Sequence, residues 1–350
     1  MEGEGADFFD TYDAIESKDE RVAFCLEWIT AKLKNGSMSA MVGAGFSKNA
    51  DPNYKDWSEL LVAAWRMMHP GRAGKEKVKR RIKIEGESKV ASEYVNFMGS
   101  REALDLYIES RFKKIAGKTG GNEVLDLHRK FMSLNWNNVI TTNWDDLLER
   151  AARESPITAT KDLKRADTSK IIKINGSLRV GGESDESAGF DNCKEHLYII
   201  TQEDFDTYAV RHDGFSDFMR IRFLVNSFCL FGFSGRDPNF RYWMRERNRL
   251  MEKGGESKSP NPIFLVAVEE QKSTRREGEA LKAKGFASFC KKNHIVRLPV
   301  ADILRVIAQS KGEGQTLPAT ADAIHTAQSL AARAHEQLDE FITYLVERTL

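Results

Sequence analysis

Apolar positions along the chain fall into two alternating rhythms. Residues 20 to 34 (ERVAFCLEWITAKLK) repeat apolar side chains at helical spacing, and Asn35-Gly36 closes the pattern. A short strand of small and apolar residues follows, SAMVGAG, running into glycine. Residues 57 to 68 (WSELLVAAWRMM) predict a helix closed by His69-Pro70. From about 75 to 133 the pattern stays helical, broken near Gly86 and across Gly117 to Gly121. NNVITTN, residues 137 to 143, predicts a strand with a polar end, and WDDLLERAAR a helix. IIKIN is the next strand. Residues 179 to 195 are polar and glycine-rich and predict a loop; HLYII, residues 196 to 200, predicts a strand, and Asp213 to Leu224 a helix. NSFCLFGFS is the most apolar strand, Arg236 to Met251 a helix, and PIFLVAV and HIVRLPV two late strands separated by a helix.

Strands alternating with helices imply an α/β fold, a Rossmann-like parallel sheet covered on both faces. The uninterrupted apolar runs suit strands buried on both sides. Ligands of such sheets bind at the carboxyl ends of the strands. Those ends read GAG, TTN, NGS and GFS, so four glycine and small-polar clusters are expected to face one crevice. Beyond Gly312, GEGQTLPAT reads as a linker and the last thirty residues as a long helix or helical pair, with an apolar stripe that includes Leu330, Leu338, Phe341, Ile342 and Leu345. The expected cover for that stripe is the chain's own domain, with a neighbouring subunit as the alternative.

Composition narrows the class. The 350 residues are 41% hydrophobic and 30% charged, enough for a sizeable core. A net charge of +1 gives no electrostatic reason to expect direct nucleic-acid binding. Charge is uneven locally: residues 2 to 20 carry eight carboxylates against Lys18, an acidic tail or contact arm, and Lys75 to Lys83 (KEKVKRRIK) is a basic run, read as a solvated helix face with phosphate or partner contact as the alternative. Cys25, Cys193, Cys229 and Cys290 form no CxxC pair, so neither a structural zinc site nor a disulfide framework is expected. No stretch reaches membrane-spanning length and no signal core is seen, so a cytoplasmic protein is expected.

The candidate chemistry lies at the strand ends. Gly43-Ala44-Gly45 allows backbone N–H groups to approach a diphosphate, but Lys48 stands where the dinucleotide fingerprint has its third glycine. Asn143 and Asp145 lie just past a strand; Asn143 can orient a water or an amide, and Asp145 reads equally as a residue at a helix start. Gly232 and Ser234 end a buried strand where a hydroxyl can bond a ribose or phosphate, and Asp237-Pro238 starts the next helix.

Taken together, GAGFS (Gly43 to Ser47), Trp57 with Leu60-Leu61, TTNWD (Thr141 to Asp145) with Leu147-Leu148-Glu149, KINGS (Lys173 to Ser177) and GFSGRDPN (Gly232 to Asn239) resemble the motifs of the sirtuin-like NADase family in order and spacing from about residue 38 to 245. The resemblance implies a sirtuin-like NAD-binding domain over 21–310 with a helical insertion at about 72–135; the acidic tail over 1–20 and the linker and helical segment over 311–350 lie outside it. It implies NAD as substrate, cleaved to nicotinamide and ADP-ribose, with no metal. Gly43, Ala44 and Gly45 would cradle the diphosphate, with Ser47 and Thr142 beside it; Asn143 would place the attacking water; Asp145 would contact the carboxamide or fix its loop; Gly232 and Ser234 would hold the adenosine ribose. The family precedent is a latent effector of bacterial antiviral defence, working as a homo-oligomer or with a partner such as a HerA-type ATPase or a nucleic-acid-sensing protein.

Two departures stand out. The zinc-ribbon cysteines of protein-deacylating sirtuins are absent, which favours an NAD hydrolase over a deacylase. The family's histidine aligns with Asn175, which hydrogen-bonds but takes no proton near pH 7. Asn175 then either positions a ribose in a slower hydrolase, or leaves the proton to another histidine such as His196, or marks a regulatory subunit that binds NAD or ADP-ribose without cleaving it.

Overall fold

A computed structural model describes residues 7–51, 54, 56–71, 74–116, 125–166, 169–178, 198–235, 237–253, 260–268, 277–311 and 327–349. Six strands form one sheet: β1 (Met38–Val42), β2 (Val139–Thr141), β3 (Ile171–Lys173), β4 (Ser227–Phe231), β5 (Ile263–Ala267) and β6 (Ile295–Pro299). Their spatial order is β3-β2-β1-β4-β5-β6, and every pairing is parallel. This is the doubly wound Rossmann-type order, whose direction reverses between β1 and β4. The chain leaving β1 returns to β2 through helices that include one on one face of the sheet, and the chain leaving β4 crosses on the other face, the arrangement that places a ligand crevice beyond these strand ends.

Side-chain alternation explains the two-sided burial. On β1, Ala40 and Val42 join the core on one face while Met41 joins the other; on β4, Cys229 and Phe231 alternate with Phe228 and Leu230 in the same way. The first face is covered by α2 (Lys18–Lys34), α8 (Asp126–Ser133), α14 (Val300–Ser310) and α15 (Ala327–Thr349). The opposite face packs under α11 (Asp213–Val225), α12 (Pro238–Lys253) and α13 (Glu277–Lys292).

The apolar stripe of the last helix is buried on its own domain, with Leu338, Phe341, Ile342 and Leu345 inside the first core. The acidic amino-terminal segment is docked rather than a free tail over α1 (Phe8–Ala14): the Phe8 ring lies 5.1 Å from Phe24, 5.0 Å from Trp28 and 5.6 Å from Phe264. Its aromatic side chains outweigh its charge, which stays at the surface.

Between β1 and β2 runs the helical insertion. After the single turn α3 (Ala44–Ser47) come α4 (Trp57–Met68), α5 (Lys75–Glu85), α6 (Glu87–Met98) and α7 (Arg101–Ala116). Asp56 and Glu59 form a capping box that starts α4. Leu61, Ile82, Val90, Tyr94, Leu104 and Ile108 build a separate core, shared with Trp144, Leu147 and Tyr198 from the loops at the strand ends. On α5, Val78 and Ile82 face this core while Lys75, Lys77, Arg80 and Arg81 are exposed, a solvated basic face.

Two local expectations differ from the structure. HLYII is no strand among its described residues: Tyr198 makes an isolated antiparallel bridge to Gly176, and the N–H groups of Ile200 and Thr201 donate to the Asp204 carboxylate instead of to a ladder. That carboxylate belongs to a capping box, Thr201 with Asp204, starting α10 (Gln202–Arg211), a helix the periodicity did not announce. The other is the helix after β2, which begins late, as α9 (Leu147–Ala152), because Trp144 and Asp145 are held in the site described next. His196, Cys193, the 179–195 loop and the 312–320 linker lie outside the described residues.

Candidate functional site

The two loops at the switch point touch through glycine. Gly43 N–H donates to Phe231 O at 2.9 Å and Gly45 N–H to Gly232 O at 3.0 Å. A Cβ on Gly43 would stand 2.7 Å from Gly232 O, and one on Gly45 2.9 Å from Gly232 Cα. Gly232 has φ +59°, and a Cβ there would lie 2.1 Å from the Phe46 nitrogen. These glycines are therefore dictated first by backbone-on-backbone contact. Two of the N–H groups expected to face a diphosphate are engaged by the β4 loop; what the glycines provide is a cavity floor without side chains.

The TTN loop is held by its own threonine. Thr141 Oγ1 donates to Val42 O at 3.0 Å and accepts from Asn143 N–H at 3.0 Å. Asn143 Nδ2 then donates to Ser47 Oγ at 2.9 Å, and Ser47 Oγ donates to Asp145 Oδ2 at 2.8 Å. Asp145 Oδ1 accepts from Leu147 N–H at 3.3 Å, so Asp145 also helps start α9. This buried relay ties the first and second strand-end loops together. Asn143 Oδ1 is buried with no hydrogen-bond partner among the described residues.

Burial pushes the Asp145 carboxyl up to about 6. The Lys173 ammonium and the Ser47 hydrogen bond work against that rise, and the Glu149 charge adds to it. Lys173 is fully buried; its Nζ lies 2.6 Å from Glu149 Oε1 and donates to the carbonyls of Trp144, at 3.2 Å, and Asp145. The lysine of the KINGS motif thus pins the loop that carries Asp145. Its signal in the sequence was a lone cation inside an apolar strand, which a burial argument marks as paired.

Asn175 is also fully buried. Its main-chain carbonyl accepts from Trp144 Nε1 at 2.8 Å and from Ile199 N–H at 3.0 Å. Its side-chain Nδ2 donates to Asp237 Oδ2 at 3.1 Å, and its Oδ1 has no hydrogen-bond partner among the described residues. Asp237 caps α12, accepting from Phe240 N–H through Oδ1 at 2.9 Å, with Pro238 at the first helical position as the sequence predicts.

A cavity of about 990 Å³ opens over these loops, at the upper end of small-ligand pockets, roughly 300–1,000 Å³. Gly43, Ala44, Gly45, Thr142, Gly232 and Ser234 line it, as does Asp237. Trp57, stacked on Trp144 at 5.6 Å, and Phe205 form one wall, and Ala334 and Leu338 of α15 contribute to another. Ser47, Asn143, Asp145 and Asn175 sit behind the lining, each at most 6% exposed. Lys48, which replaces the third glycine, lines the cavity with its Nζ 3.3 Å from Asp56 and 3.0 Å from Glu59. Among the described residues no group of three or more His, Cys, Asp or Glu side chains is placed to hold a metal ion, and no helix is long and apolar enough to cross a membrane.

Comparison with known proteins agrees with this architecture. A family model described as a SIR2-like domain matches residues 137–289. The chain is similar to "Defense-associated sirtuin 2" of Bacillus subtilis, 24% identical over 240 residues, which is 65% of this chain and 21% of that protein. It is also similar to "NAD(+) hydrolase ThsA" of Acinetobacter baumannii (strain 532279), 23% identical over 221 residues, 62% of this chain and 40% of that protein. The chain thus spans well under half the length of these curated relatives. The doubly wound sheet, the motifs at four strand ends and the family-model match agree: residues 137–289 carry a SIR2-like domain, and the chain is similar to sirtuin-like proteins.

Proposed function

We propose that the chain is an NAD glycohydrolase, cleaving NAD to nicotinamide and ADP-ribose. The observation that carries this reading is the Asn143–Ser47–Asp145 relay behind a dinucleotide-sized cavity, with the amide oxygen of Asn143 left without a partner among the described residues. A buried polar atom that the protein does not satisfy suits a position where substrate or its attacking water completes the set. Cleavage of the bond between ribose and nicotinamide passes through a cationic, oxocarbenium-like state. Preorganised oxygen acceptors in a site closed from water favour such a state electrostatically. The names of the two relatives, one a defence-associated sirtuin and one an NAD hydrolase, support the same chemistry and a role as an antiviral effector. An effector that consumes NAD must be latent in the resting cell, so activation by assembly or by a partner protein is part of the proposal.

A second reading is favoured by Asn175. Its amide is fully buried and bonded to Asp237, which suits a subunit that binds NAD or ADP-ribose for regulation or assembly without turnover. Nicotinamide release from NAD by the purified protein at high concentration separates the two. Asn143→Ala is expected to lower release by about 100-fold or more, the typical cost of losing one preorganised polar contact to the reacting group, with the fold intact by circular dichroism. Undiminished turnover in that variant would overturn the site assignment. Tight NAD binding with no release, and activity only in Asn175→His, would establish the binding subunit.

A further inference from the structure

We propose that Asp237 is a catalytic residue, the general base of this site, and that Asn175 holds it in place. The inference rests on the hydrolase reading and deepens it.

A general base must take a proton at the cavity. Asn175 cannot, near neutral pH. Asp145 can, yet it lies behind the lining with Oδ2 bonded to Ser47. Among the described residues, the carboxylates on the cavity wall are Asp56, Glu87 and Asp237. Asp56 is bound to Lys48 and caps α4. Glu87 accepts from Ser58 Oγ at 2.7 Å, on the insertion. Only Asp237, among these three, is joined to Asn175 in the loop just past β3.

The surroundings of Asp237 suit the task. Burial, and no neighbouring charge, raises its proton affinity above that of an ordinary aspartate, against hydrogen bonds from Asn175 and from the N–H groups of Phe240 and Asn239. The other charged side chains on the cavity, Lys48, Asp56, Glu87 and Arg297, exert no comparable pull on it. Asn175 fixes the carboxylate from one side while the α12 backbone fixes it from the other. Asn175 donates to Oδ2 and the Phe240 N–H to Oδ1, the Asn239 N–H also bonds the carboxylate, and a carboxylate with about four acceptor positions has room for one more donor. Replacing a histidine by Asn175 therefore need not remove the base; it moves the proton-accepting group one side chain further, onto Asp237.

In the proposed step a water oxygen bonds to C1′ of the nicotinamide ribose as the C1′–N bond breaks. Nicotinamide leaves as a neutral ring carrying the bonding pair. The water gives one proton to the Asp237 carboxylate, which later returns it to solvent, and the other stays on the new C1′ hydroxyl of ADP-ribose. The products balance NAD and water with the release of one proton.

The competing role for Asp237 is helix capping alone. Asp237→Asn separates the two, because asparagine caps as well as aspartate and a turned Asn175 amide can accept its new N–H. The assay is nicotinamide release from NAD by the full chain at high protein concentration, with NAD affinity measured by calorimetry. Expected for Asp237→Asn is a fall in turnover of about 100-fold or more with NAD affinity within about threefold, and loss of the acidic limb of the wild-type pH–rate profile. Asp237→Ser, which also caps, should regain part of the rate with added sodium formate. Turnover within about tenfold of wild type in Asp237→Asn, with the acidic limb retained, would overturn the assignment and leave the hydrolase reading standing. Wild-type protein that binds NAD and releases no nicotinamide under conditions where Asn175→His is active would overturn both.

Discussion

Replacing Asp145 by asparagine should stabilise the fold, by an amount that depends on pH. Burial lifts this carboxyl from 3.8 to about 6, after the opposing effects of Lys173 and Ser47. In the unfolded chain the group returns to the ordinary aspartate range. Between the two values the folded protein holds a proton that the unfolded chain has released, so stability falls as pH rises through that window and is level outside it. Well above both values the accumulated cost is about 3 kcal/mol. Asparagine has nearly the same shape, keeps an acceptor for Leu147 N–H and never ionises. Its amide would donate to Ser47, whose own proton then lacks its present acceptor, a loss of about 1 kcal/mol. Asp145→Asn should therefore be more stable than wild type by about 2 kcal/mol near pH 8, and the advantage should vanish near pH 4. Urea unfolding at the two pH values, with equal slopes for both proteins, measures it. A variant equally stable at both pH values relative to wild type, or less stable at pH 8 than at pH 4, would refute the account of a charge held at a cost inside the site.

Two further substitutions test the scaffold. Gly232→Ala forces a side chain into a left-handed conformation, about 1–3 kcal/mol of strain, and into the Phe46 backbone 2.1 Å away; thermal unfolding should show a drop beyond that strain alone, together with weakened NAD binding. Lys173→Met leaves Glu149 buried beside two unbonded carbonyls and should cost about 3–5 kcal/mol in urea unfolding, of which Lys173→Met/Glu149→Gln should recover part.

The sheet was legible because its strands are short apolar runs that end in glycine or small polar residues; β4, SFCLF, could be nothing but a fully buried strand. The doubly wound order then gathers the four strand-end motifs at one side, and the sequence named Gly43, Asn143, Asp145, Asn175 and Gly232 from those ends. What it left hidden are relations across long stretches of chain. Asn175 meets Asp237 sixty-two positions away, and it is the parallel order β3-β2-β1-β4 that sends the loops after β3 and β4 to the same end of the sheet. The glycines showed a need for space without showing that the space is filled by another backbone. Helix α10 escaped because its start is written in hydrogen bonds of Thr201 and Asp204 rather than in apolar periodicity. Lys173 was read as part of a motif, while its role follows from having no water to turn to.

The wall that Ala334 and Leu338 contribute to the cavity carries a consequence for the order of biosynthesis. The glycine loops emerge early from the ribosome, yet α15, which packs against α2 and α14 and shapes one side of their pocket, emerges last among the described elements. Contacts this distant in sequence close late and slowly. A nascent chain, or a fragment cut before Ala327, has its strand-end loops and lacks this side of the pocket. A pocket assembled in this order lacks one wall until translation has passed α15, so on the proposed function incomplete products would be a poor threat to the cell that makes them.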